Sequence, residues 1–85
     1  MGRRRKYEDI IKSEYVSISE LVQLTSVRYS TIKYYTEEGL LPFKQEEERL
    51  TRRYPREAAS QRLTNIAALK EKGLSITEIK DYYKE

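Results

Sequence analysis

The stretch from Ser17 to Leu41, SISELVQLTSVRYSTIKYYTEEGLL, leaves this chain few ways to fold. Ser17 and Glu20 have the spacing of a capping box, in which each side chain satisfies the other residue's orphan backbone N–H and opens a helix. Ile18, Leu21, Val22 and the methyl of Thr25 then recur at the i, i+3, i+4, i+7 spacing that gathers one buried stripe. Thr25-Ser26-Val27-Arg28 interrupts that period with small polar turn formers and one apolar residue able to plug the angle between two helices. A second helix is expected from about Tyr29 to Glu38, with Gly39 in the left-handed C-terminal position and Pro42 preventing resumption. Two short amphipathic helices on a tight turn make a helix-turn-helix.

Ile32 and Tyr35 are three apart and can face the first helix, which leaves Arg28, Ser30, Thr31, Lys33 and Tyr34 on the outer side. These residue types bond phosphates and base edges, and a major groove admits a helix that carries them. The same residues serve equally well as solvated surface beside a core tyrosine, so the helix pair alone leaves both readings open.

The run from Thr25 to Pro42, TSVRYSTIKYYTEEGLLP, resembles the winged helix-turn-helix of the MerR family, whose usual pattern is T-G-V-S-x-R-T-I-R-Y-Y-E-x-x-G-L-L-P. Thr25, Val27, Thr31, Ile32, Tyr34, Tyr35, Gly39, Leu40, Leu41 and Pro42 match, and Lys33 stands where the family has Arg. Ser26 replaces the turn Gly, Arg28 the polar N-cap, and Ser30 a position that is often basic; these departures bear on the target sequence more than on the fold. Arg28, Tyr29, Ser30 and Thr31 lie at the start of the second helix and are the candidates for base-edge or nearby phosphate contacts. The resemblance implies further DNA contacts from Lys33, Tyr34 and Tyr35, with a packing role for Tyr35 weighed equally.

After Pro42, Phe43-Lys44 and Leu50 to Tyr54 are candidate strands around a Gln45 to Arg49 loop, a β-hairpin of the kind called a wing. Arg49, Arg52, Arg53 and Arg56 crowd guanidinium groups into this short run, suited to forked phosphate contacts. Arg52 and Tyr54 are similar to the family's G-Y-R-x-Y wing, whose Gly and first Tyr are missing here. Glu46-Glu47-Glu48 suits a solvated loop tip, since carboxylates repel a phosphate backbone. Pro55 fits the first position of a third helix, where its missing donor costs nothing. Ala59, Leu63, Ile66 and Leu69, with Ala67 alongside, supply its apolar stripe, and Gly73 ends it. A second capping box, Ser75 with Glu78, opens a last helix with Ile76, Ile79 and Tyr83 on one face. The expected fold is mainly α, a winged helix-turn-helix of four to five short helices with a small two-stranded β-hairpin wing.

With 85 residues and 38% hydrophobic composition, there is room for one domain near the lower limit of a self-sufficient core, which excludes a multidomain enzyme. Cysteine and histidine are both absent. The commonest nucleophiles, general bases and transition-metal ligands are therefore missing; no enzyme activity, metal or other cofactor is expected. No run has the length of a membrane span or signal-peptide core, so a cytoplasmic, nucleoid-associated protein without membrane contact is expected. The net charge of +3 is modest, and local clustering carries more information. Residues 1–15 read as a basic arm, Arg3-Arg4-Arg5-Lys6, with room for a short helix at Tyr7, Ile10 and Ile11. Residues 16–85 read as the MerR-like domain.

The 85 residues do not include the long dimerising helix and effector region usual in the family. The expectation is an excised domain or a small effector-less relative, with no small-molecule effector in this chain and self-association only on DNA. The leading functional expectation is a sequence-specific double-stranded DNA-binding transcription regulator. The alternatives are an excisionase-like or architectural factor of a mobile element, and a protein-interaction domain without DNA binding.

Overall fold

The computed structural model describes residues 5–45 and 51–84. In chain order the elements are α1 (Tyr7–Ile10), β1 (Tyr15–Val16), α2 (Ile18–Thr25), α3 (Tyr29–Glu37), β2 (Tyr54–Pro55), α4 (Arg56–Glu71) and α5 (Ile76–Tyr83). Both expected capping boxes are formed. Ser17 Oγ accepts from Glu20 N–H and Glu20 Oε1 accepts from Ser17 N–H at the start of α2. Ser75 and Glu78 repeat the exchange at α5. Each cap contributes about 1 kcal/mol, which matters for helices of eight residues.

The helices end as their sequences demand. Gly39 has φ of 77° and Gly73 of 98°, values that glycine alone adopts without strain. After α3, Gly39 N–H donates to Thr36 O and Leu40 N–H to Tyr35 O; after α4, Gly73 N–H donates to Lys70 O and Leu74 N–H to Leu69 O. These are Schellman closures, and each brings the residue after glycine onto the core. Between α2 and α3 the left-handed position belongs to Ser26, φ 60°, where no glycine is available. Thr25 Oγ1 donates to Leu21 O and accepts from Val27 N–H, so the turn is held by a hydroxyl that the apolar reading of Thr25 did not use.

The core is continuous from end to end. Ile10, Leu21, Ile32, Ala59, Ile66 and Ile79 are fully buried, one or more from each helix. Leu63 joins the α4 stripe, whereas Ala67 faces solvent; Pro55 is the N-cap of α4, one residue ahead of its expected place. Tyr54, 1% exposed, reaches across the core, and its hydroxyl shares a 2.8 Å hydrogen bond with Thr36 Oγ1 on α3.

Among the described residues the β-structure is a bridge at the wing root and one short sheet. Lys44 and Arg53 exchange two backbone hydrogen bonds, 2.7 and 2.9 Å, which fix the root of the wing. Leu50, Arg49 and the Glu46-Glu47-Glu48 tip lie outside the described residues. The regular two-stranded sheet pairs β2 with β1, antiparallel, Tyr15 opposite Pro55 and Val16 opposite Tyr54. The segment before the helix-turn-helix thus joins the sheet that leads out of the wing.

Candidate nucleic-acid interface

The 3.6-residue period sorts α3 into two faces. Ile32, Tyr35 and Thr36 are buried, while Arg28, Tyr29, Ser30, Lys33 and Tyr34 are exposed and Thr31 is half-buried. Tyr29 and Tyr34 stand about half exposed, which is a large aromatic area to leave in water. Tyr35 is 7% exposed, and its burial raises the phenol above its ordinary pKa. Of the two roles read for it, packing is the one this position gives. Arg28 is the N-cap of α3 in extended backbone conformation and makes no side-chain cap bond, so it satisfies none of the first-turn N–H groups of α3.

The wing root stands beside this face. A cleft of about 300 Å³ separates them, with Tyr29 and Lys33 on the helix side and Thr51 and Arg52 on the wing side. Arg52 is half-buried, its guanidinium 5.2 Å from the Phe43 ring centroid, and its Nε is buried without a hydrogen-bond partner among the described residues. An arginine stacked on a ring keeps its terminal N–H groups available for an in-plane acceptor. Arg53 is exposed beyond its backbone bridge to Lys44. Arg49 falls outside the described residues.

Other cations have partners within the chain. Arg56 donates from Nε to Ser13 O at 2.8 Å and its Nη2 lies 3.6 Å from Glu57, so its half-buried side chain is tied to neighbours within the chain. Arg62 donates to Leu40 O and lies 3.9 Å from the Tyr83 ring centroid, joining the end of α3 to α5. Lys80 pairs with Glu38 at 3.0 Å. Lys44, not singled out from sequence, is an exposed cation at the wing root, 5.1 Å from the Tyr15 ring centroid. Its signal was available only through its cross-strand partner: it sits opposite Arg53.

A helix pair on a tight turn, a second helix with an outward polar face and a basic wing beside it define a winged helix-turn-helix, a DNA-binding class. Residues 16–85 match the MerR HTH family regulatory protein profile, and the chain belongs to that family. No curated protein and no solved structure matches the chain. At the level of the family it is a DNA-binding transcription regulator, and double-stranded DNA is its partner. Among the described residues no helix is long and apolar enough to cross a membrane.

Proposed function

We propose that the chain binds duplex DNA sequence-specifically, with α3 in the major groove and the wing on the adjacent backbone. Arg28, Tyr29, Ser30 and Thr31 meet base edges or nearby phosphates at the start of α3. The first-turn amides there, which Arg28 does not cap, favour an anion, as helix N-termini do. Lys33 and Tyr34 continue the contact, Tyr35 holds the helix from below, and Arg52 and Arg53, with Arg49 beyond them, hold phosphates. The cytoplasm, with its nucleoid, is the compartment that this partner implies.

One observation carries the reading: Lys33 and Arg52, from different elements, flank the same cleft. Two cations converging from a helix and a wing suit a strand of phosphates passing between them. Lys33→Ala and Arg52→Ala are each expected to weaken binding to all duplexes alike. Each should also flatten the dependence of log K on log salt by about one, the signature of one lost phosphate contact. Titration of each variant at several salt concentrations checks this; unchanged affinity and slope in both would remove the docking face.

A further inference from the structure

Residues 5–16 touch both halves of the DNA-binding unit. Arg5 forks onto Glu20 in the first turn of α2, Nε to Oε2 at 2.7 Å and Nη2 to Oε1 at 2.6 Å, and its Nη1 donates to Ser13 Oγ at 2.7 Å. From the other side, Arg56 Nε donates to Ser13 O at 2.8 Å and Arg56 N–H to Glu14 O at 2.9 Å. Ser13 is therefore held by its hydroxyl from the α2 end and by its carbonyl from the β2 end. β1 follows at once and pairs with β2, whose preceding residue, Arg53, closes the wing root on Lys44.

We propose that residues 5–16 act as a strap that sets the wing against the helix-turn-helix, and that Arg5 is a positioning residue for DNA engagement, not a phosphate contact. The DNA half of this rests on the docking face proposed above. A single helical turn such as α1 has no stability of its own, so its place depends on its anchors, the buried Ile10 and the Arg5 fork. Glu20 compensates the charge of Arg5, which leaves a duplex little to gain from that guanidinium. Without the fork, the strap loosens at its α2 end and β1 loosens on β2. The wing then spends less time in the binding-competent placement, and apparent affinity falls by the lost fraction.

The test uses the full chain with Arg5→Gln, Glu20→Gln and the double variant. Glutamine at position 20 keeps the capping-box acceptor for Ser17 N–H, so the change isolates the fork. Each single variant is expected to weaken duplex binding about threefold, the size of one partly exposed ion pair, with the salt slope unchanged and the double variant no worse. Amide hydrogen exchange without DNA should speed up at Lys44, Arg53 and Arg56, while Ile32 and Thr36 in α3 keep their protection. Tighter binding by Glu20→Gln, or a slope lowered by about one in Arg5→Gln, would make Arg5 a phosphate contact and overturn the proposal. So would unchanged exchange at the wing root, or acceleration spread evenly through α3. A wild-type chain that ignores DNA while its variants show the selective exchange pattern would sink the docking face and support the strap.

Discussion

Ser26 occupies the left-handed conformation, φ 60°, at an exposed turn between the two helices that matter most. A side chain there costs about 1–2 kcal/mol that glycine avoids, offset in part by glycine's greater freedom when unfolded. Ser26→Gly is therefore expected to stabilise the chain by about 1 kcal/mol, a rise of about 5 °C in melting temperature for a domain of this size. An unchanged or lowered Tm would mean that the hydroxyl contributes something no contact around it reveals. The turn itself was legible from Thr25 to Arg28, because small polar residues broke a clear helical period. The bond between Thr36 and Tyr54 was not, since neither side chain announces a buried hydroxyl partner in another element.

Helix boundaries were the most legible elements, because a capping box and a following glycine are written in adjacent residues. The capping glutamates also tie helix stability to acid. Hydrogen bonds from the Arg5 guanidinium, chiefly, and from Ser17 hold Glu20 below the usual carboxylate range, against the opposing effect of burial. The Ser75 backbone N–H, followed by its hydroxyl, does the same for Glu78. A depressed folded-state pKa contributes stability that is complete above the unfolded value and is lost as pH falls through the folded one. The melting temperature is expected to decline below about pH 4, and a Glu20→Gln/Glu78→Gln variant to decline less steeply. Identical acid profiles would show that these two carboxylates are not the groups responsible. Strands were the least legible: two residues cannot display alternation, and the partner of β2 lies before the helix-turn-helix, not within the wing. The arginine-rich run hides one contact for a related reason. Arg56 finds a backbone carbonyl, and a carbonyl leaves no mark in a sequence.

The described residues span 40 × 27 × 21 Å, which laid along a duplex is about twelve base pairs at 3.4 Å each. A footprint of about one helical turn is expected for a single bound chain, and protection over several turns at one-to-one stoichiometry would contradict the placement of α3 and wing together. Of the proposed docking face, the sequence offers the part that lies on one helix. Its second wall needed the fold to bring Arg52 beside Lys33. Arg62 bears on the earliest moment of recognition. With its guanidinium laid on Tyr83 and bonded to Leu40 O, both neutral partners, it keeps its full charge and adds to the field that an approaching duplex feels. A charge held in place by neutral groups draws the duplex in from a distance, and that pull fades as added salt screens it.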